Sequence, residues 1–528
     1  MEKPRRWLQE KLPKTSCRIK GRTDMYRYAP LVLIILSVLI AAGCAIGPDY
    51  NRPVMDIPQA FRFDGEGSRE VADSEWWKQF NDPVLEKLIV EALANNKSVK
   101  IAAANVNRAS GMLMTTRSGL FPQIYYNGTA ERVRLSKNTI QQVPENPYNN
   151  FQAVGSASWE IDLWGRIRRL SESAKANLYA TIEARRGVIL SLTTEIASTY
   201  IQLRGLDEQL RIANETLKTY EESVRIFELQ NKYGQVSGMT VQQARSQYET
   251  AAAQIPQIEV EIAKTENALS ILLGRNPGAI ERGVKLSDLK MPPIPAGLPS
   301  DLLERRPDVL QAEQNLIAAN AQMGAAKALF FPAISLTGVA GFVSEELSKL
   351  WLGPSKLWNY AGNVVGPIFT GGGLLGQFRQ SEASREAALY SYQQAVQSAF
   401  ADAENALIAR KKILEQVAAE QRKVTAFREY ERMAELQYNA GYTPYLTVLN
   451  AQQELFPAEL QAVQTNATSY IAVINLYKAL GGGWIAKGEA LTVPHETARE
   501  EQVDDKGSTT QHEPGKESVS PKPENEKD

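Results

Sequence analysis

Two hydrophobic periods divide this chain. From Leu192 to Phe227, apolar and small residues recur in steps of four and three, beginning Leu192, Ile196, Thr199, Leu203, Leu206 and Leu210. That is the seam of a coiled coil. The helical pattern holds from Gly165 to Tyr233 without a proline, which at about 1.5 Å per residue predicts a helix about 100 Å long. A return run covers Val241 to Leu273, where Pro256 predicts a bend or break. The same plan recurs in a long helix running to Ala440 and a return run from Leu446 to Leu480, with Pro457 a second predicted bend.

The other period is two. Gln123 to Ala130 and Phe151 to Leu163 alternate around a polar loop, and Ala333 to Gly341 with about 357–370 supplies a second such pair. These read as two antiparallel pairs, four strands in all. A shorter helix precedes each pair, one ending at Phe121-Pro122 and the other at Phe331-Pro332. An earlier helix starts at Pro83, with Asp82 placed to cap it.

The halves are therefore repeats. Gly441 lies 207 residues after Gly234, and the same offset joins Thr240 to Thr447, Val241 to Val448 and Ala244 to Ala451. The turns at 232–245 and 438–455 are the exposed ends of two helical hairpins. Residues 81–274 form the first repeat, 275–300 a Pro- and Gly-punctuated linker, and 301–484 the second. From 485 to 528 a short end segment gives way to a charged, apolar-poor tail expected to be disordered.

At the other end, Leu31 to Ala42 is apolar except for Ser37. It is short of the roughly 20 residues that span a bilayer and suits a signal-peptide core. Ala41, Ala42 and Gly43 lead into Cys44, similar to a lipobox whose cysteine is lipidated, so 1–43 reads as a signal peptide and 44–80 as a lipid-anchored extended lead-in. Residue 45 is alanine rather than aspartate, which resembles lipoproteins sent on to the outer membrane. The basic residues 1–24 precede a second possible start at Met25, leaving the true start open between Met1 and Met25.

Composition narrows the chemistry. With 43% hydrophobic residues a real core is available, and a formal net charge of −1 gives no reason to expect nucleic-acid binding. Both histidines, His495 and His512, fall in the tail, and both cysteines, Cys17 and Cys44, at or before the anchor. The body is left without imidazole or thiol chemistry or disulfides, and without the ligands of most zinc sites; no enzyme, metal or cofactor is expected beyond the lipid on Cys44. Glu160 and Asp162 could suggest a carboxylate pair for glycoside chemistry, but at a strand-to-helix junction they read better as lumen-lining or locally bonded. Gly371–Gly373 and Gly481–Gly483 lack the Lys-Ser/Thr continuation of a phosphate loop and read as turns.

Strands are permitted in a membrane only where every backbone group is paired, which demands closure. Four strands do not close a useful barrel; several chains together can. Five motifs then carry a resemblance: Trp159-Glu-Ile-Asp-Leu-Trp-Gly-Arg166, Leu303-Glu-Arg-Arg-Pro-Asp-Val309, Ala325-Ala-Lys-Ala-Leu-Phe-Phe-Pro332, Leu446-Thr-Val-Leu-Asn-Ala-Gln452 and Leu476-Tyr-Lys-Ala-Leu-Gly-Gly-Gly-Trp484. In order and spacing the chain resembles the lipoprotein branch of the outer-membrane factor (TolC-like) family over about residues 45–490. The resemblance implies an α+β membrane protein: a homotrimer with a 12-stranded β-barrel, four strands per chain, continued through an equatorial region into a periplasmic α-helical barrel of coiled-coil hairpins. It implies a passive export duct in the outer membrane of a Gram-negative bacterium, carrying drugs or toxic compounds. Its partners would be a periplasmic adaptor (membrane fusion) protein, an inner-membrane pump of RND type and outer-membrane lipid.

On that reading the turns form the periplasmic end. Gly234, Ser237, Gly238, Gly441, Thr443 and Pro444 would dock the adaptor, and Tyr438, Asn450, Gln453 and Gln243 would sit at the gate. The sequence departs from the family here, because Asn450 and Gln453 stand where aspartate and arginine are common. Hydrogen bonds and packing, rather than a charged ring, would then hold the end closed. Two rival readings are a periplasm-spanning coiled-coil lipoprotein without channel activity, which has no use for four alternating strands, and a secreted carboxylate hydrolase, which would need a compact cleft.

Overall fold

The structure, a computed structural model, describes residues 45–63, 75–136, 138, 145–292 and 302–482. The signal segment, Cys44, Trp484 and the tail from 485 to 528 lie outside the described residues.

In chain order the elements are α1 (Pro83–Asn95), α2 (Lys97–Ser118), β1 (Gln123–Val133), β2 (Tyr148–Ile161), α3 (Arg166–Lys232), α4 (Gly238–Leu272), α5 (Pro307–Ala328), β3 (Ala333–Ser344), β4 (Lys356–Val365), α6 (Gly373–Asn439) and α7 (Tyr445–Ala479). The repeat is exact in its long members: α3 and α6 each have 67 residues, and α4 and α7 each have 35. Neither Pro256 nor Pro457 breaks its helix; α4 and α7 run through them. The helix stays continuous at each proline because side chains on both sides of it, Ile255 and Ile258 in α4 and Phe456 and Leu460 in α7, are held in one apolar cluster. That packing offsets a cost of about 3 kcal/mol for an interior proline.

The chain forms two compact units. One comprises the residues through Tyr50, Met114–Ser173 and Ala319–Ala383; the other comprises Asn51–Leu113, Ala174–Ala318 and from Ser384 onward.

The first unit is built on one antiparallel sheet in the order β1-β2-β3-β4. Its outer edges, β1 and β4, have no strand partner among the described residues. Residues 45–49 form a strap against the sheet's helix junctions. The Ile46 amide donates to the Trp164 carbonyl at 3.0 Å, and Asn320 donates to the Pro48 carbonyl at 2.9 Å. Arg169, only 5% exposed at its side chain, reaches Asp49 at 2.7 Å and the Gly47 carbonyl at 3.2 Å. At Gly47 (φ +110°) a Cβ would come within 2.6 Å of the Gly324 backbone, so the strap fits only where two glycines meet.

The second unit holds the main apolar core. Trp76, Trp77 and Phe80 pack with α1, the middle of α3 and the ends of α4 and α7; Trp76 stacks on Tyr477 with ring centroids 5.5 Å apart. Asp82 caps α1 as its position predicts, accepting from the Val84 amide at 2.9 Å. Its other oxygen accepts from the Tyr200 hydroxyl at 2.8 Å and the Val284 amide at 3.1 Å. No helix among the described residues is long and apolar enough to cross a membrane.

Candidate functional site: a two-faced sheet and paired turns

Strand register sorts the sheet's side chains into two faces. One carries Ile124, Tyr126 and Ala130 from β1, Phe151, Ala153 and Ala157 from β2, Ile334, Leu336, Ala340 and Phe342 from β3, and Trp358, Tyr360 and Val364 from β4. Its polar members, Arg132, Asn149, Ser344 and Lys356, all lie at the same end of the strands, at or within a residue or so of a strand terminus. The other face is mixed: Gln123, Asn127, Thr129 and Glu131, then Asn150, Gln152, Ser156 and Ser158, then Ser335 and Thr337, then Asn359 and Asn363 stand among Tyr125, Val154, Val339, Val343, Leu357 and Val365. An apolar face ending in a polar rim, backed by a face that holds nearly all the remaining polar residues of the strands, is the pattern of a barrel wall between lipid and water. Trp358 and Tyr360 stack at 5.6 Å, and Trp351 meets Phe342 edge-on at 5.3 Å, near that polar rim. Aromatic rings of this kind favour the membrane–water boundary. Trp159 and Trp164 belong to the strand–helix junction, donating to the carbonyls of Leu120 and Pro332.

At the base of β2 the candidate carboxylates are engaged locally. Glu160 accepts a forked bond from Arg166 at 2.8 and 2.9 Å. Asp162 accepts from the amides of Ile167 and Arg168, both at 2.9 Å, and so caps α3. Among the described residues no group of three or more His, Cys, Asp or Glu side chains is placed to hold a metal.

The paired turns share one backbone geometry. Gly234 (φ +71°) donates to the Asn231 carbonyl while Gln235 donates to Gln230; Gly441 (φ +77°) donates to Tyr438 while Tyr442 donates to Gln437. These are helix stops built on a left-handed glycine. Past the first turn, Ser237 caps α4 by accepting from the Thr240 amide at 3.3 Å. Gly238 opens the helix in free space. Past the second, Pro444 stands at the cap position with no side-chain bond, and the Thr443 hydroxyl is buried without a partner.

The two turns lie together. Phe227, Val241 and Ala244 of the first hairpin share an apolar cluster with Tyr445, Val448 and Leu449 of the second. Phe227 meets Tyr445 edge-on at 4.4 Å, and Tyr438 joins them at 6.2 and 5.6 Å. Burial pushes the Tyr445 phenol up to about 12. Tyr438 thus sits in an aromatic contact between hairpins, while Asn450 and Gln453 are exposed on α7 and Gln243 is half-buried on α4.

Several residues here escaped the sequence reading. Glu228 and Arg245 form an ion pair at 2.6 Å across the first hairpin. Its counterpart across the second is Glu435 and Gln452, 207 residues on. Gln452 is buried, and its side-chain amide bonds the half-buried Glu431. Burial, with help from nearby Glu435, raises the Glu431 carboxyl above the ordinary range. Tyr220, which the seam marks only as an apolar position, donates from its hydroxyl to the Gln452 carbonyl at 3.3 Å. The repeat offset alone could have flagged the exchange of Arg245 for Gln452.

Comparison with known proteins agrees with this geometry. Residues 88–275 and 298–482 match the family described as outer membrane efflux protein. The toluene efflux pump outer membrane protein TtgC of Pseudomonas putida is 34% identical over 462 residues, covering 86% of this chain and 96% of that protein. The cation efflux system protein CusC of Escherichia coli is 34% identical over 463 residues, covering 86% and 99%. Among solved structures, the open state of the Neisseria gonorrhoeae MtrE outer membrane channel superposes with a TM-score of 0.77 at 32% identity, covering 84% of this chain and 99% of that one. A CusC crystal structure gives 0.75 at 32% identity, covering 83% and 100%.

Proposed function

The chain belongs to the outer membrane efflux protein family, and we propose that three copies of it close a single duct whose wall is the two-faced sheet. Its role is that of a conducting export channel of the outer membrane that reaches into the periplasm; it is not that of an enzyme. The observation that carries closure by further copies is the open sheet; the number three follows the family resemblance. Four strands with unpaired edges and one apolar face demand further strands to satisfy the edge backbone within lipid. Joining β4 of one copy to β1 of the next, three times, gives twelve strands.

Within this reading Cys44 carries the lipid, and the described strap begins one residue later. Gly234, Ser237, Gly238, Gly441, Thr443 and Pro444 present the turns to a periplasmic adaptor, itself joined to an inner-membrane pump of RND type that supplies the energy. Drugs and other toxic compounds are the cargo class. Asn450 and Gln453 face the lumen at the closed end, with Gln243 and Tyr438 at the same gate. Their exposure on α7 supports this placement, and their neutrality makes the end a weak cation binder.

The test is reconstitution of the full-length protein in planar bilayers, with its mass measured in detergent. A trimer with discrete ion conductance is expected; a monomer without conductance would favour the coiled-coil scaffold instead. Asn450→Asp should add block by divalent cations, and an unchanged current would place residue 450 away from the lumen. Mass spectrometry of the mature N-terminus should find acyl chains on Cys44, and a free thiol there would remove the anchor from the scheme.

A further inference from the structure

One layer of the hairpin seam is built differently from the rest. Above it, α3, α4 and α7 meet through Leu206, Ala213, Ile258 and Leu460; below it lies the apolar cluster of the turns. Between them is a cavity of about 120 Å³ lined by Tyr220, Gln247, Thr250, Gln452, Gln453 and Pro457, with Ala251 and Phe456 as its apolar members.

Three features make this layer polar and weak. Gln452 is only 2% exposed, yet its side-chain oxygen Oε1 has no hydrogen-bond partner. A buried acceptor left unpaired is costly unless water reaches it. Pro457 has no N–H, so the amide that would serve the Gln453 carbonyl one turn earlier is missing. The repeat places Thr250 at the position of Pro457, and the Thr250 hydroxyl donates to the Ser246 carbonyl at 2.7 Å, a back-bond that also loosens a helix. Both return helices therefore depart from plain helical bonding at one level, and both departures border the same cavity. Its volume is several times the roughly 30 Å³ that one water occupies in the liquid.

We propose that this cavity is a structural water site and that α7 pivots there, so that the segment Tyr445–Gln453 moves with the turn while the rest of α7 stays packed. Water takes up the bonds of Gln452 Oε1 and the Gln453 carbonyl, and it can exchange partners as the helix bends. The inference rests on reading the hairpins as the inner wall of a duct, because a pivot in α7 widens or narrows that wall.

Hydrogen exchange on the full chain in detergent tests it without reference to conduction. Amides of 450–456 should exchange at least about tenfold faster than those of 464–475 in the same helix. Pro457→Ala, which restores the missing donor, and Gln452→Leu, which removes the orphaned acceptor, should each erase most of that difference. Uniform protection along α7 in the unaltered protein, or a difference untouched by both variants, overturns the proposal. In bilayers both variants should shorten channel openings several-fold. If the unaltered protein conducts and the variants match it, the pivot fails while the duct stands. If nothing conducts, the duct reading fails, and the exchange data still decide the pivot.

Discussion

At Gly234 the chain turns with a serine cap behind it and a Glu228–Arg245 ion pair tying its two helices together. At Gly441 the same backbone turns with a proline at the cap position, glutamine in place of the arginine, and a pair of tyrosines packed on the neighbouring hairpin. Duplication preserved the steric frame while the means of holding it diverged. The first hairpin closes on itself through polar bonds. The second has its cross-hairpin ion pair, Arg428–Glu459, farther from the turn; near the turn it leans on the first through aromatic contacts and leaves Glu431 on a neutral amide.

The contrast can be broken most severely at the shared contact. Tyr445→Ala or Phe227→Ala should cost about 3 kcal/mol or more and loosen both turns together, read as faster protease nicking at 233–238 and at 440–444 alike. Gly234→Ala and Gly441→Ala should next cost about 1–2 kcal/mol each, from the left-handed backbone alone. Their costs should match, because a Cβ meets nothing within 4 Å at either position; unequal losses in denaturant unfolding would show that the frames differ. Ser237→Ala should cost about 1 kcal/mol, whereas Pro444→Ala should cost far less, since no cap bond exists there to lose.

A pH titration sharpens the comparison further. The Glu431 carboxyl is raised in the fold, so its ionisation opposes folding. That penalty is absent below the unfolded value near 4.5 and complete once pH passes the raised folded value. Glu431→Gln should therefore raise the melting temperature at neutral pH, with the gain fading as pH falls toward 4.5; a gain independent of pH would contradict it. The smallest effect belongs to Arg245→Gln, which rewrites the first hairpin in the terms of the second. The pair is about half exposed, so the loss should be a few tenths of a kcal/mol and vanish in high salt.

Much of this frame was legible in the sequence. Glycines at 234 and 441 can be read as helix stops because a left-handed residue is a local requirement, and the period-two alternation of 123–130 and 151–163 already separates two faces. What could not be read depends on distant residues meeting. Gln452 is an ordinary helical glutamine until Tyr220 and Glu431 close over it. Gly47, Gly165 and Gly324 look like unrelated glycines until the strap passes through them. Pro256 leaves a break open by local rules, and packing from the adjoining helices keeps the helix continuous there, as it does at Pro457.

The exposed edges of β1 and β4 have a consequence for the life of the chain before assembly. Each edge is a row of unpaired amides and carbonyls 10 or 11 residues long, flanked by apolar side chains, and such a row accepts any extended strand that comes near. A newly exported copy is therefore in a race between the correct neighbour and every wrong one. Synthesis rate, escort by chaperones and the local density of sister chains bear on how much functional duct a cell obtains. A chain that cannot finish its own sheet has to be kept from finishing it with something else.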